Sequence, residues 1–320
     1  LAAQFLVIDE RKVQEIIEMT QVLRAVEEAF ERYARGEAKM PPKLYLELPQ
    51  FNGDFRAMPA WIGDYAGLKW VNVHPDNKGR GLPTVMGKVL LNDPETGEPL
   101  ACIDGTTLTN YRTGAAAGVA SKYLARNDSS SLGLIGLGEQ AKTQLMAISE
   151  VFELQEVLLF DVDEEQREEF VRSFSGFNFK IASLKETCSA DIVSTTTPVR
   201  EPIIEADWIE PGTHINAMGA DAQGKQEFSS ELYRREDLNL KIIVDDAEQA
   251  LHSGEVNVPY REGVLEEEDI YGELPLLVKE KREVREREDV TLFDSTGLAI
   301  QDIATASTVY ESVTEGSLKV

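Results

Sequence analysis

The sequence predicts a mixed α/β protein of two domains, one built on a parallel sheet with helices on both faces and the other an α+β domain. Three observations carry that expectation. From Ser131 to Asp294, strand and helix signals alternate regularly, in apolar runs that suit a parallel sheet covered on both sides. From Leu44 to Ala101 the runs are short and are separated by Pro, Gly, Asn and Asp, as in an antiparallel sheet. Helical periods at 9–35 and 298–310 flank these regions, and the second is expected to return to the first domain. The first domain is therefore expected to be discontinuous, 1–112 with 298–320, around a second domain at 113–297.

Taken in order, Phe5 to Ile8 reads as a short strand. Val13, Ile16, Ile17, Val22, Leu23, Val26, Ala29, Phe30 and Tyr33 then recur on one face of a helix that Gly36 stops. KLYLELP, DFRAMPAWI, AGLKWVNV, TVMGKVLLND and PLACID follow as strands, with Asp93, Pro94 and Gly97 supplying turn chemistry between the last two. Residues 107–125 are Ala-rich and helix-compatible. Beyond them come SLGLIG, a helix to about Phe152, EVLLFD, a helix to about Ser173, and then FKIAS, ADIVSTTT, THINAMG, LKIIVDD and VTLFDS as further strands.

The 320 residues carry 57 Asp or Glu against 32 Lys or Arg, a formal charge of −25. That surplus repels polyanions, so neither a nucleic acid nor an anionic membrane is expected as a partner. The stretches DVDEEQREE at 161–169 and EEED at 266–269 are acidic, and KEKREVRERED at 279–289 mixes both signs as a solvated helix face would. Cys102 and Cys188 have no second partner in sequence, which argues against a disulfide framework or thiolate metal site. No run approaches the roughly 20 apolar residues that cross a bilayer. The opening LAAQFLVIDERK lacks a signal-peptide pattern and an initiator Met, so a trimmed start and a cytoplasmic location are expected.

The strongest local motif is Gly133-Leu-Ile-Gly136-Leu-Gly138-Glu-Gln140-Ala141, where a strand ends in a glycine turn and a helix begins. Gly136 permits the turn, Gly138 lets a pyrophosphate approach the backbone, and Ala141 takes the third small position. The phosphates would lie on the helix N-terminus. The next strand ends at Asp161, placed to accept hydrogen bonds from an adenosine ribose. Asp163, Glu164 and Glu165 follow without an arginine immediately after the strand, a charge pattern that favours NAD over NADP in a Rossmann-type domain.

Chemistry must come from outside that fingerprint. Arg56 and Lys69 lie in apolar strand settings where a cation is costly unless paired or functional, and Arg112 follows at the domain boundary. Three cations around one cleft would suit a small carboxylate, with Lys69 available for proton transfer if burial lowers its pKa; a structural ion pair is the alternative for each. Asp221, just beyond a strand end, is a base candidate or an exposed turn residue, and Lys225 follows it. His74, His214 and His252 have neither metal-ligand nor triad spacing, so structural or solvent roles and no metal site are expected. Gly-x-Ser-x-Gly is absent, which weakens a serine-hydrolase reading.

PPK at 41–43, RAMPA at 56–60, GLKWVN at 67–72, GLPTVMG at 81–87, LTNYRTGAA at 108–116, GLGEQA at 136–141, INAMGADAQGKQE at 215–227 and FDSTGLAIQD at 293–302 together resemble the ornithine cyclodeaminase and mu-crystallin family, most of all its archaeal alanine dehydrogenase branch. The resemblance implies a homodimer whose substrate-binding and dimerisation domain combines both ends of the chain around a NAD-binding Rossmann domain. By matching segments it implies Arg56 and Lys69 as the substrate-binding pair, assisted by Arg112, with Lys69 and Asp221 catalytic. Around the dinucleotide it implies Thr84, Arg112, Thr113, Gly136, Gly138, Gln140, Asp161, Thr197, Lys225 and Ser295, with Thr197 one of three adjacent threonine candidates. Tyr111 departs from the Leu or Ser usual before this arginine. The implied reaction is reversible oxidation of a small amino acid to its keto acid, L-alanine first. A cyclodeaminase acting on ornithine or lysine, a cyclic ketimine reductase and a non-enzymatic ligand-binding dimer remain alternatives.

Overall fold

The computed structural model describes residues 5–317. Two compact units divide them, one holding 5–112 and 298–317 and the other 113–297. Residues 1–4 and 318–320 of the expected first domain lie outside the described residues. Among the described residues, no helix is long and apolar enough to cross a membrane.

The first unit is built on seven strands: β1 (Leu6–Ile8), β2 (Ala38–Lys39), β3 (Leu44–Leu48), β4 (Gly53–Ile62), β5 (Tyr65–Val73), β6 (Val85–Asn92) and β7 (Pro99–Asp104). Their order is β1-β7-β6-β5-β4-β2, with β3 also on β4; β1 joins β7 in parallel and the other pairs are antiparallel. The turn between β6 and β7 forms as its residues predict, because Asp93 Oδ1 accepts from the N–H groups of Glu95 and Thr96 and Gly97 takes a positive φ of 76°. The single helix expected at 9–35 is two, Glu10–Ile16 and Met19–Ala34. Extended backbone at Ile17 and Glu18 breaks it, and Ile17 is buried there.

Met19, Val22, Val26, Ala29 and Phe30 face inward from the second helix. The C-terminal helix Ala299–Ser317 packs on that helix and on β4, β5 and β6. It comes close because residue 67 is glycine: a Cβ there would meet Leu90 O at 2.4 Å and Ile303 Cδ1 at 2.7 Å. The inward face of the sheet thus carries Arg56, Met58, Lys69, Val71 and Val89 beneath a helix, whereas Val7, Leu44, Leu46, Trp70 and Leu90 on the other face are exposed.

The second unit is a parallel sheet of eight strands: β8 (Ser131–Ile135), β9 (Glu156–Phe160), β10 (Phe179–Ile181), β11 (Ile192–Thr195), β12 (His214–Ala217), β13 (Lys241–Val244), β14 (Ile270–Glu273) and β15 (Thr291–Asp294). Their order, β10-β9-β8-β11-β12-β15-β13-β14, reverses direction between β8 and β11, as in a Rossmann-type fold. Both faces are apolar. Leu132, Leu134, Val157 and Leu159 pack to one side, and Val193, Ile215, Val244 and Leu292 to the other.

Two further sequence expectations need correction. Strand β14 went unseen because its residues are only half-buried and follow the acidic EEED. The segment 281–289 is not a solvated helix face: the helix there ends at Glu280, Val284 is buried, and the Arg285 guanidinium donates to the carbonyls of Leu124, Gly212 and Asp289. Those contacts hold the chain in an irregular path.

Candidate functional site

In the first unit, Lys69 projects from β5, Arg112 from the helix Gly105–Leu124 and Asp302 from the first turn of the C-terminal helix, where the helix dipole favours a negative charge. They meet on one atom. Asp302 Oδ1 accepts from Lys69 Nζ at 2.7 Å and from Arg112 Nε at 2.9 Å, while Gln301 Oε1 accepts from Arg112 Nη1 at 3.2 Å. The side chains of Lys69 and Asp302 are only 1% and 0% exposed. Asp302 Oδ2 has no hydrogen-bond partner among the described residues. Burial, and then the Arg112 charge, pull the Lys69 ammonium down to about 7 against the opposing pull of Asp302; Lys43 adds to the fall. A lysine so placed exchanges a proton near neutrality.

Arg56 shares this sheet face but is held differently. Its Nε and Nη2 reach Asp54 Oδ1 and Oδ2 at 2.8 and 3.2 Å, and its guanidinium lies 5.3 Å from the centre of the Tyr45 ring. Thr84 is exposed before β6, and its carbonyl accepts from His74 N–H at 2.8 Å. Thr113 follows Arg112 on the same helix and is buried, while Tyr111 before it is half-buried. Asp302 and Asp54 were missed by sequence reasoning. For Asp302 a signal existed, a carboxylate in the otherwise uncharged run GLAIQDIATAS.

In the second unit the glycine turn forms at the reversal of strand order. Gly136 has φ 84°, and a Cβ there would lie 3.0 Å from Thr197 Cγ2, so the turns after β8 and β11 meet closely. Gly138 caps the helix Glu139–Ser149 with no side-chain hydrogen bond, and among the described residues no atom beyond its own chain neighbours lies within 4 Å of the place its Cβ would occupy. The backbone is thus open where a phosphate must approach, and a dinucleotide fits the cradle. Half-buried Gln140 is the second residue of that helix.

Asp161 closes the corner. Its Oδ2 accepts from Leu137 N–H at 2.7 Å and its Oδ1 from Asp163 N–H at 2.9 Å, which ties the end of β9 to the glycine turn and leaves lone pairs for a ribose. An arginine does reach this corner: Arg167 Nη1 donates to the Asp161 carbonyl at 2.6 Å. Lys225 and Asp221 form an ion pair at 2.6 Å. Ser295 Oγ donates to Asp245 Oδ2 at 3.0 Å. The Thr197 hydroxyl and N–H both donate to Glu227 Oε1, at 2.6 and 2.7 Å.

Glu227 is a third residue that sequence reasoning missed. It is fully buried, and its other oxygen accepts from the Thr195 hydroxyl at 2.5 Å and Gly219 N–H at 2.9 Å, so one carboxylate fastens the turns after β11 and β12. His214 is structural. Buried, it lies 2.9 Å from Thr291 Oγ1 and 3.2 Å from Asn216 Oδ1, and desolvation lowers its pKa to about 3.

A model of the ornithine cyclodeaminase/mu-crystallin family matches residues 4–317. The alanine dehydrogenase of Archaeoglobus fulgidus is 49% identical over 310 residues, 96% of this chain and 94% of that protein. Among solved structures, an archaeal alanine dehydrogenase dimer with bound NAD superposes with a TM-score of 0.94 at 48% identity, covering 98% of this chain and 97% of that one. The Thermococcus litoralis Δ1-pyrroline-2-carboxylate reductase, in complex with NADH and L-proline, superposes with a TM-score of 0.93 at 38% identity, covering 98% of each. Matches of this extent and identity place a whole chain rather than one domain of it. The chain belongs to the ornithine cyclodeaminase/mu-crystallin family.

Proposed function

We propose that the protein is an NAD-dependent amino-acid dehydrogenase that converts L-alanine and water reversibly to pyruvate and ammonium. The observation that carries this reading is the buried Lys69–Asp302–Arg112 trio, which joins a cation suited to a carboxylate with a lysine that exchanges its proton near neutrality. The similarity to the archaeal alanine dehydrogenases supports the choice of substrate.

NAD, when bound, supplies the hydride acceptor for the α-carbon. Gly136, Gly138 and the following helix would hold its pyrophosphate and Asp161 its ribose, with Thr84, Thr113, Gln140, Thr197, Lys225 and Ser295 assigned to the remainder by matching segments. Arg112 and Arg56 orient the substrate carboxylate. Once the α-imine has formed, Lys69 holds the proton that moves at the oxygen of the added water, and Asp221 transfers the proton that the departing ammonia requires. Homodimerisation through the outer sheet face of the first unit would cover Val7, Leu44, Leu46, Trp70 and Leu90, consistent with the dimer described for the archaeal structure.

The similarity to the pyrroline-2-carboxylate reductase favours a second reading, reduction of a cyclic imine by the same groups. A NAD⁺-reduction panel with L-alanine, L-ornithine, L-lysine and L-proline, with products identified, separates the two. NADH formation with alanine, accompanied by pyruvate, is expected. Turnover with proline alone selects the reductase, and proline released from ornithine selects a cyclodeaminase.

A further inference from the structure

We propose that Asp302 is a positioning residue for Lys69: as the one carboxylate shared by Lys69 and Arg112 it aims the ammonium and holds its proton, and its single charge makes a carboxylate ligand and that proton bind together. The proposal rests on the reading above that Lys69 and Arg112 receive a carboxylate substrate.

Of the two Asp302 oxygens, Oδ1 accepts from both cations, at 2.7 and 2.9 Å, and Oδ2 from neither. Asp302 is the one hydrogen-bond partner of Lys69 Nζ among the described residues, so it sets the direction of the ammonium. Gln301 makes the arrangement stiffer, since its Oε1 accepts from Arg112 Nη1 and from Leu298 N–H at 3.1 Å. Two positive groups then stand against one negative group, out of water. Among the described residues, the charged groups that act most on Lys69 besides Asp302 are the cations Arg112 and Lys43, and on the neighbouring strand Arg56 lies paired with Asp54.

An uncompensated buried charge is costly, and this one can be removed in two ways. Lys69 can release its proton, or an anion can arrive. Arrival of an anion removes the reason for release, so ligand binding draws a proton from solvent onto Lys69. The linkage is largest above the pH at which the ligand-free lysine titrates, and vanishes below it.

Lysine labelled with ¹⁵N at Nζ allows the titration to be followed by NMR without turnover, with the Lys69 signal identified by its loss in Lys69→Met. A midpoint near neutrality is expected for the unaltered chain, at least one pH unit lower in Asp302→Asn and higher in Arg112→Gln. Calorimetry of pyruvate binding to the NADH-loaded protein, in buffers of different ionisation enthalpy, should report uptake of about one proton per site at pH 8 and about none at pH 5. L-proline replaces pyruvate as the probe if the turnover panel selects the cyclic substrate. An unchanged midpoint in Asp302→Asn overturns the proposal, as does carboxylate binding without uptake at pH 8. Should Asp302→Asn fail to fold, the proposal is decided by the proton uptake, which needs no variant, and an unmoved Lys69 midpoint in Arg112→Gln overturns the sharing of one charge between the two cations. Failure of alanine turnover alongside an Asp302-dependent midpoint sinks the substrate reading alone; normal turnover with an unmoved midpoint sinks this proposal alone.

Discussion

Each unit buries a cluster of charged side chains, and the two clusters meet the cost of burial from opposite directions. In the first, two cations share Asp302, and the strain falls on Lys69, whose pKa drops to about 7. In the second, Glu227, Glu255 and Asp294 lie together with no Lys or Arg within ion-pair distance among the described residues. There burial raises all three carboxyls, Asp294 to about 8. Backbone N–H groups do the work that cations do elsewhere: Glu255 accepts from Glu227 and Phe228, and Asp294 from Val256. The acidic cluster is closed, its charge answered by protons and peptide groups. The cationic cluster remains one anion short, the condition a binding site for a carboxylate requires.

The largest expected effect breaks the open cluster. Lys69→Met should lower alanine turnover by about 10²- to 10⁴-fold, the range for losing a general acid/base, while NADH fluorescence titration gives unchanged binding. Unchanged turnover would remove Lys69 from the chemistry. Asp302→Ala should destabilise the first unit by about 3–5 kcal/mol in urea unfolding, because two buried cations lose the carboxylate they share. A loss below 1 kcal/mol would mean the trio is not buried as a unit.

The pH dependence of stability should then separate the clusters by sign. Asp294 keeps its proton when folded up to about pH 8 but loses it near 3.8 when unfolded, so its contribution falls as pH rises between those values. Lys69 loses its proton near 7 when folded but near 10.5 when unfolded, so its contribution rises over that interval. Each slope is about 1.4 kcal/mol per pH unit. Asp294→Asn should flatten the falling limb and Lys69→Met the rising limb; melts across pH 5–10 in which neither variant changes a slope would contradict both assignments. The smallest effect belongs to Asp161, a carboxylate at the rim rather than in either cluster. Asp161→Ala should weaken NADH binding by about tenfold, the worth of roughly 1.4 kcal/mol of hydrogen bonding, and improve NADPH binding relative to NADH, since Arg167 is already in that corner. An unaltered preference would remove the ribose role.

What could be read from the sequence follows the reach of each contact along the chain. Gly136, Gly138 and Asp161 are legible because one strand–turn–helix–strand unit places them, and the parallel sheet because its apolar runs are continuous. Lys69 stood out as a cation in an apolar strand, and Arg112 as one at the domain boundary. Their shared partner did not, because Asp302 is 233 positions from Lys69 and only the packing of the last helix on β5 brings them together. Glu227 was hidden in the same way, a member of a quoted motif whose task is to join turns that the sheet order makes neighbours. The irregular path at 281–289 depends on three carbonyls from distant segments, which charge patterning cannot reveal.

Strand β15 lies inside its sheet, between β12 and β13, and the helix that follows it covers the sheet of the first unit. During synthesis, both cores therefore wait for the same stretch of about 27 residues, 291–317, to leave the ribosome. Until then β12 and β13 have open edges where β15 will enter, and Lys69 has no carboxylate. Nascent chains halted before residue 290 should be sensitive to protease in both units, so that a truncation at this end is felt in the dinucleotide fold as much as in the domain it appears to belong to.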